Sequence, residues 1–222
     1  MDIVRTENLY KEYNLGKIKT KVINNVTLSI KEKEFVSIIG PSGSGKSTLL
    51  YLLSGMEEKT SGSIYLLGKD IDKLSDKEKC DMRRNSIGFV YQFYNLISEM
   101  NVQDNILLPK LIDNEKIDVE RLNKIVKLVS LEKHLKSFPY ELSGGQQQRV
   151  AIARAIYANP KIIFADEPTG NLDYKTGQDV MELFKKINEE MGTTIIQVTH
   201  SLEHAKYANR IIKIVDGEVC NE

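Results

Sequence analysis

The stretch from Phe35 to Leu53 constrains the fold more than any other. It runs from an apolar Phe-Val-Ser-Ile-Ile segment through Gly40-Pro41-Ser42-Gly43-Ser44-Gly45-Lys46-Ser47-Thr48 into Leu-Leu-Tyr-Leu-Leu. The unbroken apolar character of the first part predicts a buried strand, and the last part predicts a helix. The glycines between them let the backbone turn tightly with its N–H groups pointing inward, and the positive end of the helix faces the same point. Such a loop holds phosphate. Lys46 supplies a cation for β- and γ-phosphates, and Ser47 a hydroxyl where a magnesium ion sits. A chance Gly/Ser turn does not explain the fixed positions together with the flanking strand and helix.

Ile162-Ile163-Phe164-Ala165 is a second apolar run, preceded by Pro160, and suits a parallel strand buried on both faces. It delivers Asp166 and Glu167 at its C-terminal end, where ligands of open α/β sheets bind. Adjacent acids there divide two tasks, Asp166 holding the metal shell and Glu167 polarising an attacking water. Thr194–Thr199 reads as another strand, with His200 at its end. Ile87–Tyr91 reads as a strand that places the Gln92 side chain beside the magnesium site.

Leu142-Ser143-Gly144-Gly145-Gln146 narrows the reading. Together with the phosphate loop and Glu167-Pro168-Thr169-Gly170-Asn171-Leu172-Asp173, it resembles the ATPases of the ATP-binding cassette (ABC) family, and the resemblance covers essentially the whole chain. It implies a single α/β domain: a P-loop NTPase core with a mostly parallel sheet, an antiparallel β lobe (about 1–30 and 60–70) and a helical lobe (about 94–142). The implied cofactors are ATP and Mg²⁺. Gly40, Pro41, Ser42, Gly43, Ser44, Gly45, Lys46, Ser47, Thr48 and Gln92 surround the nucleotide, and Tyr13 stacks on adenine. Ser47, Gln92 and Asp166 serve the metal, and Lys46, Gln92, Glu167 and His200 serve catalysis.

By the same resemblance, Leu142, Ser143, Gly144, Gly145 and Gln146 cap a nucleotide held by a second subunit. Asn171, Leu172 and Asp173 form a loop crossing the interface. One chain therefore implies a two-chain active site: an ATP-dependent homodimer, docked on an integral membrane permease at the cytoplasmic face of the membrane. The motifs are similar to a branch serving lipoprotein release, macrolide export and antimicrobial-peptide resistance. The cell-division ABC complex, which signals without transport, is the alternative.

Three local readings carry alternatives. Tyr10 is the fallback for Tyr13 as the stacking aromatic. His200-Ser201-Leu202-Glu203-His204 fits a zinc-peptidase spacing, but a zinc site needs both imidazoles on one helix face, whereas His200 directly follows a strand. His204 and His134 are then expected on helix surfaces. The loop Phe93–Met100, rich in aromatic and flexible apolar groups, is expected to dock the membrane partner or else to pack the lobe junction.

Composition agrees. Lys plus Arg number 31, as do Asp plus Glu, so no global basic field points to nucleic acid. Cys80 and Cys220 are far apart and in no metal-ligand spacing, which favours free thiols. No stretch approaches the ~20 apolar residues of a membrane span, and the first residues lack the apolar core of a signal peptide. No heptads persist between Ser47 and Leu142, which argues against the coiled-coil ATPases of chromosome maintenance. A single set of motifs argues against tandem-cassette translation factors. Leu122, Ile125, Val126 and Val129 recur with helical spacing, as do Val180, Leu183, Phe184 and Ile187. Gln146 to Ala158 reads as a buried helix, Asp76–Lys79 as a solvated helix face, and Asp216-Gly217 as a terminal hairpin turn.

Overall fold

The computed structural model describes residues 1–16, 18–112 and 115–220. Two sheets organise it. The N-terminal sheet is antiparallel, in the order β2-β1-β4-β5, from β1 (Asp2–Leu15), β2 (Ile18–Lys31), β4 (Ser61–Leu66) and β5 (Lys69–Asp70). The larger sheet has the order β10-β9-β3-β8-β7-β6, from β3 (Phe35–Ile39), β6 (Ile87–Tyr91), β7 (Ile162–Asp166), β8 (Thr194–Val198), β9 (Arg210–Val215) and β10 (Glu218–Cys220). Its pairings are parallel except for the β9–β10 hairpin. Asp216 and Gly217 turn that hairpin with φ of 49° and 77°, the left-handed pair that matches strand twist. The fold is the α/β class the sequence implies.

The central strands are buried on both faces, so alternate residues feed two cores. Val36 and Ile38 of β3, with Ile162 and Phe164 of β7, face one cluster; Ile163 and Ala165 face the other. The first cluster is completed by α1 (Lys46–Leu53), whose Leu49, Leu50, Leu52 and Leu53 are all fully buried. Each such leucine contributes about 1.5–3 kcal/mol, which anchors the helix directly behind the phosphate loop. The second cluster packs α3 (Val102–Ile112), α4 (Val119–Leu128), α5 (Gly144–Tyr157) and α6 (Tyr174–Met191) against the opposite face. The remaining helices are α2 (Asp76–Ser86), which buries no residue, and the single turn α7 (Leu202–Ala205).

Two asparagines set which side chains of the N-terminal hairpin point inward. Burial along β1 runs Val4, Thr6, then Leu9, Lys11, and along β2 Ile23, then Val26, Leu28, Ile30. Parity flips at Asn8 (φ 48°) and Asn25 (φ 50°), beside register irregularities in the pairing. A bulge adds one residue and turns every later side chain to the other face. Lys11 and Tyr13 thereby share a face of β1, while Tyr10 reaches Glu12 on the opposite one.

The segment from Tyr94 to Leu142 is less helical than its sequence suggests. Among the described residues only α3 and α4 are regular there, joined by turns, irregular segments and a short 3₁₀ segment at Pro139–Glu141. Buried Asn105 explains part of this: its side chain accepts from Ile97 N and donates to the carbonyls of Ile97, Met100 and Asn101. Those four bonds fix an irregular loop that a helix would have satisfied internally.

Candidate active site

The phosphate loop sits where β3 ends and α1 begins. Gly45 (φ 93°) is the residue before the helix, and a side chain there would strike the Val22 carbonyl of β2 at 2.6 Å. A side chain on Gly40 would lie 2.0 Å from the Ile214 carbonyl. The loop is therefore wedged between the two sheets and tolerates only glycine at these positions. Ser42, Gly43, Gly45, Lys46, Ser47 and Thr48 line a cleft of about 370 Å³ with Val22 and Glu167. Lys46 is nearly buried, and its Nζ donates to the Pro41 carbonyl at 2.8 Å. Ser44 is buried with its hydroxyl unpartnered.

Asp166 ends β7 beside this cleft. Its Oδ1 accepts from Ser47 Oγ at 2.9 Å and its Oδ2 from Tyr51 OH at 2.6 Å. Burial, and then the bond to Asp166, push the Tyr51 phenol well above its ordinary range. Glu167 follows in a left-handed backbone conformation, φ 46°. Its N–H donates to the Val198 carbonyl, and its Oε2 lies 2.9 Å from His200 Nδ1. Parallel pairing sets this constellation: β7 lies next to β8, so Asp166 and Val198 are paired and the residues just beyond them meet. The arrangement offers an anion cradle, a cation, and a carboxylate–imidazole pair at one edge of the cleft.

Residues 23–170 match the ABC transporter family. The chain belongs to that family. It is 42% identical to the lipoprotein-releasing system ATP-binding protein LolD of Wigglesworthia glossinidia brevipalpis over 221 residues, 99% of this chain and 96% of LolD. It is 44% identical to the ABC transporter ATP-binding protein MJ0796 of Methanocaldococcus jannaschii, over 99% of this chain and 96% of that protein. A dimeric structure of MJ0796 in a post-hydrolysis state with ADP and Pi superposes with a TM-score of 0.89, covering 98% of this chain and 97% of that one. CbiO1 of Clostridium perfringens, part of the transporter complex cbiONQ, superposes with a TM-score of 0.87 at 30% identity, covering 99% of this chain and 87% of that one. The chain is an ABC ATPase, binding and hydrolysing ATP.

In this ABC ATPase the signature stands apart from the chain's own phosphate loop. Ser143 caps α5: its Oγ accepts from Gln146 N, and Gln146 Oε1 accepts from Ser143 N at 2.8 Å. Ser143 is exposed, whereas Gly144 is half-buried and Gly145 buried, and the capping box occupies the Gln146 N–H. None of Leu142, Ser143, Gly144, Gly145 or Gln146 lines the 370 Å³ cleft. Gly144 abuts Tyr94 and Leu172, and Gly145 abuts Thr176, so both glycines are required by close packing within the subunit.

Several predicted positions have partners that their sequence setting conceals. Gln92 and Asn171 bond to each other. The Gln92 Nε2 donates to Asn171 Oδ1 at 3.1 Å, and Asn171 Nδ2 donates back to the Gln92 carbonyl at 3.0 Å. Asp173 is occupied in capping α6, accepting from Thr176, whose two bonds hold its carboxyl below the usual range. Tyr13 carries Lys11 Nζ 4.5 Å from its ring centre and pairs with Thr20, two residues from the Val22 that touches Gly45.

Two expectations fail. His204 is buried, not on a helix surface: α7 is one turn tucked beside Gly177, and His204 Nδ1 lies 2.8 Å from Thr169 Oγ1. Burial depresses its basicity. Nor is His134 on a helix; it lies in a turn, half-buried, with Nε2 3.1 Å from Gln146 Nε2 of the signature. His200 and His204 thus serve different partners and share no centre. In the loop after Gln92, Phe93 is 73% exposed, but Leu96 packs on the core and Tyr94 under Gly144. Arg154 donates to the Tyr94 and Asn95 carbonyls. Sequence reasoning missed Arg154, Thr169 and Tyr51. Only Tyr51 carried a signal, standing four residues after Ser47 on the same helix face.

Proposed function

We propose that this ATPase is the motor of a membrane transport complex, working as an ATP-closed homodimer at the cytoplasmic face of the membrane. The observation that carries the dimer is the separation of the signature from the chain's own cleft. The exposed Ser143 and the positive N-terminal end of α5 suit an anion, yet none of Leu142 to Gln146 lines the chain's own cleft; a second copy brings a nucleotide to them. Gly40 to Thr48 and Gln92 then surround the triphosphate, with Tyr13 against the base. Leu142 to Gln146 complete the site from the partner, with Asn171, Leu172 and Asp173 at the seam. The hydroxyl of Ser47 and the carboxylate of Asp166 are hard oxygen donors that fit magnesium, whose chemistry when bound is to neutralise phosphate charge. Gln92 joins them once it leaves Asn171. Glu167 takes a proton from water, and His200, touching Glu167, orients that carboxylate and faces the γ-phosphate.

A permease is the second partner. Phe93 and Ile97 are exposed, and Asn95 between them in sequence lines a groove with Arg84, Phe89, Leu108 and Pro109, an apolar floor with a basic rim suited to a short helical segment. Among the described residues no helix is long and apolar enough to cross a membrane, so a separate membrane subunit supplies the path. The likeness to LolD and the branch motifs favour amphipathic cargo: lipid-linked molecules, antimicrobial peptides or macrolides. Copurification from native membranes with mass-spectrometric identification of the bound permease tests this. A permease with a large extracytoplasmic domain supports cargo handling; a short four-helix partner points instead to cell-division signalling.

A further inference from the structure

One helix grips Asp166 at both carboxylate oxygens. Ser47 and Tyr51 stand four residues apart on α1, so their hydroxyls lie on one face, at 2.9 and 2.6 Å from Oδ1 and Oδ2. The Tyr51 ring is itself held. It stacks on Phe89 with centroids 5.8 Å apart and planes 28° from parallel, and Phe89 stacks on Phe164 at 6.1 Å and 22°. Phe164 lies two residues before Asp166 on β7 and is paired with Phe89 across the strands. The ring's position is therefore explained by packing, but its hydroxyl is not, since Phe fills the same slot.

We propose that Tyr51 is a positioning residue for the divalent cation that accompanies the nucleotide. A bond from phenol to carboxylate belongs to the strong, charge-assisted class. By occupying Oδ2 it fixes the rotation of the Asp166 side chain, so Oδ1 stays beside Ser47 and the two oxygen donors are preset for the cation's hydration shell. Partners behind metal-binding groups act in this way, and their loss costs metal affinity about 10–100-fold. Without the hydroxyl the carboxylate is held by Ser47 alone, at one oxygen, and more of its ordering falls to the cation. The proposal rests on the magnesium reading of Ser47 and Asp166.

The test is Tyr51→Phe in the full chain, loaded with ADP and titrated with Mn²⁺ by electron paramagnetic resonance. The dissociation constant for Mn²⁺ is expected to rise about tenfold, with unchanged ADP affinity in EDTA and a cooperative melting transition retained, lowered only by the lost hydrogen bond. Equal Mn²⁺ affinity in wild type and variant overturns the proposal, as does a loss of Mn²⁺ affinity matched by an equal loss of ADP affinity in EDTA. Asp166→Asn and Ser47→Ala separate the two levels. If they weaken Mn²⁺ binding and Tyr51→Phe does not, the positioning role alone fails. If none of the three weakens it, the magnesium reading fails with it.

Discussion

Replacing Glu167 by Gln separates chemistry from architecture. The amide has the shape of the carboxylate, so the left-handed backbone at φ 46° and the N–H bond to Val198 are retained. What disappears is a group able to take a proton from water. Loss of a positioned base costs about 10²–10⁴-fold in rate, which is about 2.7–5.5 kcal/mol on the barrier. The stability change is far smaller. The side chain's partner, His200, is 71% exposed, and pairs at the surface contribute about 0–1 kcal/mol. In a chain of this size that shifts the melting temperature by no more than about 4 °C. Removing a negative charge beside the γ-phosphate also favours the ATP-closed pair of subunits. Phosphate release at saturating ATP and Mg²⁺ is thus expected to fall at least a hundredfold with melting nearly unchanged. Light scattering should show a dimer with ATP and a monomer with ADP. Turnover above a tenth of wild type would refute Glu167 as the base; an elution volume independent of ATP would refute the closed pair.

Lys46→Met removes the cation from a nearly buried site that solvent cannot replace, and ATP binding by fluorescence titration should weaken at least a hundredfold; unchanged binding sinks the phosphate-loop assignment. Ser143→Arg should abolish steady-state hydrolysis while monomer ATP affinity stays within about twofold, since the exposed cap serves the partner's nucleotide; a parallel loss of affinity would show the signature acting within one subunit. Burial lowers the basicity of His204 from its ordinary 6.5, so the unfolded chain takes up the proton first. The stability this residue supports is complete above pH 6.5 and drains away as pH falls below it. Melting curves of His204→Leu should lose less between pH 7.5 and pH 5.5 than wild type, roughly the range where histidine titrates; parallel curves would place the acid sensitivity elsewhere.

Much of the catalytic edge is legible in the sequence because central strands announce themselves as apolar runs and carry their functional residues at the C-terminal end. Phe35–Ile39, Ile162–Ala165 and Thr194–Val198 are each too apolar to be anything but central strands, so Lys46, Asp166, Glu167 and His200 come to one edge as soon as the strands are parallel. The misses share a cause: short elements whose neighbours come from elsewhere in the chain. A single turn such as α7 has no periodicity from which a face is read, so sequence alone puts His204 outside when Thr169 and Gly177 hold it inside. The partner of Gln92 is hidden for the same reason: it exchanges two bonds with Asn171, nearly eighty residues on. Tyr10 and Tyr13 are not separable by a single two-residue alternation, because the bulge at Asn8 shifts its phase between Thr6 and Leu9.

The strand that carries the phosphate loop has an awkward birth. β3 is flanked by β8 on one side and β9 on the other, and these begin 155 and 171 residues after it ends. At ribosomal speeds that is a delay on the order of 10–30 s. Throughout it, a Val- and Ile-rich segment has two open edges, the feature most prone to pairing with a stranger. The β1–β2 hairpin, by contrast, closes from neighbouring residues and forms early. ATP has no finished loop to bind in a nascent chain, so it gives no help where help is most needed. Chaperone shielding of residues 35–39 should therefore matter more for the yield of this subunit than any ligand added during synthesis.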